Sequence, residues 1–446
     1  MSVNTVPHMG IGGTDRWVAA APEFLGVFDT DRRAARAFLC EGDDLLAALP
    51  ARPCRDSTQS TAAATLHGTA RRVRSAFLRL HADRVYDELT DGRTTHPRIA
   101  ELAHTAGIAF PGLVPSPEQV TEDNSHSQPD KEGREIDLGI LFGGLLAAPN
   151  AGHHLMESML RPTSRALALL AQFRRTGEIV LDAARLQRRG STGHVTITNE
   201  HCLNAEDNRH VADLETLVDL VLLDSRIDVG VLRGGTMTHP RHAGRRVFSA
   251  GINLRELQAG NISFVEFLLG RELGYLSKLA RGLSVPTAPW PDTTVQKPWL
   301  AAVDSFAIGG GAQILLVCDR VIAASDAYFS LPAAQEGIVP GVANLRLTRF
   351  LGARPARAVI LWGERIQATD PRAPLVFDEV VDPADMDDAI SAAALRLGSP
   401  AVAANRRMLN LADEPADHFR TYLAEFAVQQ ALRAYSPDVL AKVARR

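Results

Sequence analysis

Between residues 14 and 110 apolar positions recur at helical spacing, as where Val73, Phe77 and Leu80 lead to Val85 and Leu89. The stretch is also rich in Ala, Leu and Arg, and a stripe of this period predicts helices that each bury one face. From Pro111 to Arg134 the stripe lapses. Pro115, Pro117, Asn124-Ser125-His126-Ser127 and Pro129 accumulate there, which predicts an exposed loop. Helical spacing resumes from Leu138 to about Arg175.

The pattern changes at Gly177. Glu178 to Asp182 and His194 to Asn199 are short β-branched runs separated by the turn residues Gly190-Ser191-Thr192-Gly193, and they predict a hairpin. Helix and strand then alternate. Asp213–Leu223 has helical spacing, Val229–Leu232 is strand-like, Phe264–Arg281 predicts one long amphipathic helix, and Pro298–Ser305 predicts another strand. Such alternation predicts an α/β core from 177 to 380 behind a mainly helical region, 1 to 176. Residues 381 to 446 return to helix, with a break at Asp413-Glu414-Pro415.

Composition narrows the function classes. The 446 residues exceed what one core usually organises, and 46% hydrophobic with 22% charged residues is ordinary for a globular protein. A net charge of −4 gives no reason to expect a nucleic-acid partner. Cys40, Cys54, Cys202 and Cys318 show no CxxC spacing, which points away from zinc and disulfide frameworks and toward a reducing cytoplasm. The N-terminus lacks a signal-peptide pattern. The most apolar run, Leu138–Ala148, is too short to span a bilayer and is interrupted by Gly143 and Gly144.

The chemistry concentrates in two glycine-bearing turns about sixty residues apart, Phe248-Ser249-Ala250-Gly251-Ile252-Asn253 and Ala307-Ile308-Gly309-Gly310-Gly311-Ala312-Gln313. Glycine tolerates positive φ and close approach, so each turn can free a backbone N–H. Two such amides on one carbonyl oxygen form an oxyanion hole. The second turn is followed by Val317-Cys318-Asp319-Arg320, Ala327–Pro332 and Gly337-Ile338-Val339-Pro340-Gly341. With Asn204-Ala205 and the first turn, these segments resemble the crotonase (enoyl-CoA hydratase/isomerase) superfamily over roughly 177 to 446. The resemblance implies a ββα spiral core, C-terminal trimerisation helices, a homo-oligomer of one or two trimers, and acyl-CoA substrates. It also implies that the oxyanion amides belong to Ile252 and Gly310.

Two departures redirect the expected chemistry. Hydratases of the superfamily carry glutamates where this chain has Gln313 and Ala333, and hydration needs one carboxylate to activate water and another to protonate carbon. Gln313 and Ala333 can do neither. Glu206, where the superfamily usually has an apolar residue, joins Arg271 and Gln313 in a polar set able to hold a hydroxylated ring. The long helical extension, the stretch Asn199–Asn208 and the run Arg271-Glu272-Leu273-Gly274-Tyr275 resemble the cofactor-independent arylacetyl-CoA dioxygenases of the superfamily, which serve glycopeptide-antibiotic biosynthesis. That resemblance implies turnover of a dihydroxyphenylacetyl-CoA and O2 through an enolate, with Glu206, Arg271, Gln313, Ile252 and Gly310 at the substrate, Ile338 beside the oxygen, and no metal or flavin. A divergent hydratase, isomerase or thioesterase, or a non-catalytic acyl-CoA-binding protein, is the alternative.

Weaker signals have plainer readings. His153-His154 with Glu157 could place metal ligands on one helical face but lacks a fourth ligand. Ser249 has no nucleophile-elbow context and reads as a small turn residue. Arg233, Arg241, Arg245 and Arg246 read as solvated charge, with CoA phosphates as a second possibility for some of them.

Overall fold

The computed structural model describes residues 12–285 and 294–443. A seven-stranded sheet forms the centre of the α/β part, and its strands lie side by side in chain order: Glu178–Val180, Ala184–Arg189, Thr192–Ile197, Val229–Gly234, Trp299–Val303, Arg320–Ala324 and Glu379–Val381. The first three run antiparallel and the rest are parallel. The parallel strands are nearly all apolar because helices cover them; every residue of Trp299–Val303 is buried. A small three-stranded sheet of Phe306–Ile308, Tyr328–Ser330 and Arg365–Gln367 stands beside it.

The expected hairpin differs in its pairing. Glu178–Val180 and Thr192–Ile197 do not pair with each other; Ala184–Arg189 lies between them and pairs with both. The sequence Ala-Arg-Leu-Gln-Arg-Arg hides its strand character, since only Ala184 and Leu186 face the core. Residues 111–134 also differ from an exposed loop. They contain the helix Pro117–Asn124, capped by Ser116 and Gln119, and they bury Asp123, whose carboxylate accepts the amides of Glu132, Gly133 and Arg134. Turn-forming residues here make caps, which propensity alone reads as solvent-exposed.

The helices of the extension, among them Phe28–Ala47, Ser57–Leu89, Ile99–Ala109, Arg134–Ala147 and Pro149–Leu160, share an apolar core. On Ser57–Leu89 the buried stripe holds Val73, Phe77, Leu78, Val85 and Leu89, whereas Leu80 faces outward. The C-terminal helix Ala416–Ala434 enters the same core through Phe419, Leu423, Phe426 and Ala427. Gly139 allows this approach, since a Cβ there would stand 2.7 Å from the Ala431 Cβ and 2.8 Å from the Ala427 carbonyl.

Phe264–Arg281 is three pieces: a π-helical turn Phe264–Leu269, an α-turn Gly270–Leu273, and a helix Tyr275–Arg281 after a break at Gly274. Only glycine fits at the break. A Cβ on Gly274 would lie 2.6 Å from the Gly270 carbonyl and 2.9 Å from Glu215 Oε1. Elements from both regions hold the pieces: Glu135 accepts the Phe264 amide at 2.8 Å, and the fully buried Lys278 donates to Asp219 at 2.7 Å and pairs with Glu215 at 2.8 Å. Arg98 of the extension reaches the same Glu215 at 2.6 Å. Among the described residues, no helix is long and apolar enough to cross a membrane.

Candidate active site

The two glycine turns meet. Ser249 and Ala307 form a parallel bridge, with the Ile308 amide donating to the Ser249 carbonyl at 2.9 Å. Gly251, at φ 86°, lies so close to the second turn that a Cβ would sit 3.1 Å from the Ile308 carbonyl and 3.4 Å from the Gly310 nitrogen. A second bridge pairs Glu206 with Ile252: the Glu206 amide donates to Gly251 and the Asn253 amide to the Glu206 carbonyl. In that register the Ile252 N–H points away from Glu206. Gly310 opens its helix after Gly309, whose φ is 54°. Neither the Ile252 nor the Gly310 amide donates to an acceptor among the described residues. Ser249 is fully buried, and its Oγ accepts the Gly251 amide at 3.1 Å, so it shapes the turn.

Both amides open on a cavity of about 470 Å³, within the size range of small-molecule sites. Its lining brings together Glu206, Ile252, Arg271, Gly310, Gln313, Ala333 and Ile338, which the sequence scatters over more than a hundred positions. The walls between these are largely apolar, with Phe267, Leu268, Val339, Pro340 and Phe426.

Arg271 organises the polar end. Its Nε and Nη2 grip the Glu206 carboxylate from two sides, Nη2 also donates to the Gly310 carbonyl at 2.6 Å, and Nη1 donates to Gln313 Oε1 at 2.9 Å and to Glu272 Oε1 at 3.0 Å. Every N–H of the guanidinium therefore has an acceptor within the protein. Its pKa is driven up: burial disfavours the charge, but Glu206 and Glu272 more than compensate. The Gln313 side-chain nitrogen and the two backbone amides are donors at this end of the cavity that remain available to a ligand.

Two residues join the set that sequence reasoning passed over. Tyr275 lies under the guanidinium, 5.5 Å from its carbon, and its hydroxyl reaches Glu206 Oε2 at 3.5 Å. Glu272, adjacent in sequence to Arg271, lines the cavity though it is only 1% exposed. A charge next to an arginine on an amphipathic pattern reads as a solvated pair, but every residue of Gly270–Leu273 is buried here.

The remaining candidates lie elsewhere. His153 pairs with Asp417 at 2.9 Å and His154 with the Tyr86 hydroxyl at 2.8 Å, and among the described residues no group of three His, Cys, Asp or Glu is placed to hold a metal ion. Arg233 is engaged by Asp304 and Asp387, and Arg245 by Asp326. Arg246 donates to the Gly234 carbonyl, and among the described residues the Arg241 guanidinium has no hydrogen-bond or ion-pair partner.

Residues 195–421 match the model of the enoyl-CoA hydratase/isomerase family. This chain belongs to that family. It is 54% identical over 413 residues to the (3,5-dihydroxyphenyl)acetyl-CoA 1,2-dioxygenase of Amycolatopsis orientalis, a match that covers 93% of this chain and 95% of the relative. Identity to the short-chain-enoyl-CoA hydratase of Clostridium acetobutylicum is 30% over 203 residues, 45% of this chain and 69% of that one. The enoyl-CoA hydratase structure from Bacillus halodurans superposes with a TM-score of 0.50 at 17% identity, over 59% of this chain and all of the other, which is a likeness of fold. The dioxygenase match thus takes in the helical extension, whereas the hydratase matches stop short of it. The cavity presents the two free amides beside Gln313 and Ala333.

Proposed function

We propose that the protein converts 3,5-dihydroxyphenylacetyl-CoA and O2 to 3,5-dihydroxyphenylglyoxylate and CoA. The observation that carries this reading is the pairing of two unengaged amides with a neutral Gln313 and Ala333 in one cavity. The near full-length identity to the named dioxygenase supports it. In this reading the thioester carbonyl oxygen sits against the Ile252 and Gly310 amides, which together stabilise an enolate by several kcal/mol, on the order of ~3 per donor. The ring lies toward Glu206, Arg271 and Gln313, where a phenol hydroxyl can accept from the Gln313 nitrogen and donate to Glu206.

The chemistry then runs without a metal or flavin. Loss of one Cα proton leaves an electron-rich enolate conjugated with the ring, which passes one electron to O2. Recombination of the radical pair forms a C–O bond and leaves a peroxide on Cα. Attack of the terminal peroxide oxygen on the thioester carbonyl expels CoA as thiolate. Cleavage of the O–O bond with loss of the second Cα proton gives the α-keto acid, so both oxygen atoms are retained in the product. Ile338, Val339 and Pro340 supply an apolar wall where O2 can stand beside Cα and where excluded water cannot reprotonate the enolate.

An oligomer belongs to the same reading. Leu395, Met408, Leu409 and Leu411 are exposed on the helices Met386–Leu397 and Pro400–Asp413, and a trimer or a pair of trimers would cover such apolar faces. Sedimentation of the purified protein reads this directly. For the reaction, an oxygen electrode and a thiol reagent should record equimolar O2 uptake and CoA release with 3,5-dihydroxyphenylacetyl-CoA, undiminished by EDTA. CoA release without oxygen uptake, or hydration of crotonyl-CoA in its place, would reject the dioxygenase reading.

A further inference from the structure

Removal of the Cα proton needs an acceptor, and two buried carboxylates flank Arg271 at the cavity. They are held differently. Both oxygens of Glu206 are committed, Oε1 to Nη2 at 3.2 Å and Oε2 to Nε with the Tyr275 hydroxyl behind it. Glu272 meets the guanidinium through one oxygen alone, Oε1 to Nη1 at 3.0 Å. Its Oε2 accepts the Val342 amide at 3.3 Å, the long edge of hydrogen bonding.

The position of Glu272 answers the loss of glutamate at residue 313. The same Nη1 binds Glu272 Oε1 and Gln313 Oε1, so one nitrogen joins the carboxylate to the amide that replaced the family's acid. Gly341 packs against both: a Cβ there would collide with Glu272 Oε1 and stand 2.7 Å from Gln313 Oε1. We propose, resting on the dioxygenase reading of this cavity, that Glu272 is the base that takes the Cα proton. The carboxylate absent from position 313 is supplied from the broken helix beside it.

In this step the Cα–H bond breaks, the proton forms an O–H bond on Glu272, and the electron pair delocalises onto the thioester oxygen. The charge count explains why the arrangement works. Glu206 and Glu272 against Arg271 carry one excess negative charge, which the nearby Arg346 partly offsets, since it shares Glu414 with Arg281 and Arg349. Proton transfer neutralises Glu272 and puts that charge on the enolate oxygen, at the Ile252 and Gly310 amides. A buried charge is moved and none is created, which avoids the desolvation cost of generating a new ion in the interior. Burial also pushes the Glu272 carboxyl above the usual carboxylate range, with the Arg271 and Arg346 charges only partly offsetting it. A raised pKa makes the ionised form a stronger proton acceptor.

The test separates enolate formation from oxygen chemistry. Wild type, Glu272→Gln and Glu272→Asp are incubated anaerobically with 3,5-dihydroxyphenylacetyl-CoA in D2O, and deuterium at Cα is read by mass spectrometry. Binding of the same thioester is measured by calorimetry without oxygen. Wild type should exchange, and Glu272→Gln should exchange about 100-fold more slowly or worse, the usual scale for a lost general base, with Kd nearly unchanged. Glu272→Asp, a methylene short, should fall about tenfold or more and keeps the test alive if the glutamine variant does not fold. Exchange by Glu272→Gln or Glu272→Asp at the wild-type rate overturns the proposal, as does the absence of exchange in wild type. Rapid wild-type exchange that depends on Glu272 but is accompanied by no aerobic oxygen uptake would support the base and refute the dioxygenase reading.

Discussion

Gly310→Ala is the substitution whose consequences the structure determines most closely. A Cβ at this position would lie 2.5 Å from Glu206 Oε1, 2.8 Å from its Cδ and 2.9 Å from Oε2. Ordinary contact begins near 3.4 Å, so either the carboxylate or the Gly310 backbone must move by about 0.9 Å. Glu206 has little room to yield, because it is 1% exposed and gripped by two nitrogens of Arg271. If it yields, charge-assisted hydrogen bonds are lost at about 1.5–3 kcal/mol each. If the backbone yields, the Gly310 amide leaves the oxyanion, and loss of one such donor costs about 10²–10³ in rate. Either route predicts a fall of about 100-fold in kcat for O2 uptake with 3,5-dihydroxyphenylacetyl-CoA. Stopped-flow oxygen consumption reads the effect, and circular dichroism checks that the fold persists. The double variant Gly310→Ala/Glu206→Ala removes the clash, so enolisation of phenylacetyl-CoA, followed by Cα deuteration, should recover most of the loss. A Gly310→Ala enzyme within threefold of wild type, or a double variant as slow as the single one, would show that the carboxylate does not set the position of this amide.

Further outcomes follow from other contacts. Arg271→Lys keeps the charge but lacks the planar fork, so Glu206, Glu272 and Gln313 cannot all be held; turnover should drop about 100-fold or more, and a change under tenfold would deny the guanidinium its organising role. Lys278→Met leaves Asp219 and Glu215 buried with half their compensation, and urea unfolding should show a loss of about 3–5 kcal/mol. An unchanged midpoint would mean that these carboxyls protonate without cost. Burial alone would raise the Glu132 carboxyl, but hydrogen bonds from His67 and Arg55 outweigh it and hold the pKa at about 2. Its folded pKa is depressed, so its contribution to stability is complete above the unfolded value near 4.5 and is lost as pH falls from there toward 2. Glu132→Gln should flatten the acid limb of the stability profile in that window, and an identical limb in the variant would contradict this.

The residues proposed to carry chemistry, which the structure gathers around one cavity, were legible one by one, for a physical reason. A turn that frees an amide must be built from glycine and small residues within a few positions, so Ala250-Gly251-Ile252 and Gly309-Gly310-Gly311 announce themselves locally. Gln313, Ala333 and Glu206 were legible as departures from a family pattern, and Arg271 by its place on the Phe264–Arg281 segment that the resemblance sets beside the acyl pocket. The alternation of helix and strand from Gly177 onward is equally local, since period 2 and period 3.6 are written into neighbouring residues. Ala184–Arg189 escaped because its outward face is polar and arginine-rich, with only Ala184 and Leu186 turned inward.

What needed the tertiary structure was every relation between distant segments. Arg271 spends all its hydrogen bonds on Glu206, Glu272, Gln313 and Gly310, partners up to 65 positions away in sequence that only the fold brings to it. Glu272 and Tyr275 therefore look unremarkable as letters and become part of the site only when the segment is buried beside Glu206 and the cavity. The packing of Ala416–Ala434 into the core of the N-terminal helices has the same origin: glycines at 139 and 143 permit a close approach, but which helix approaches is decided by long-range apolar burial. The sequence determined the glycine turns and the polar groups available to a site; the fold decided which of them meet at one cavity, which are already occupied, and which carboxylate is left loosely held beside it.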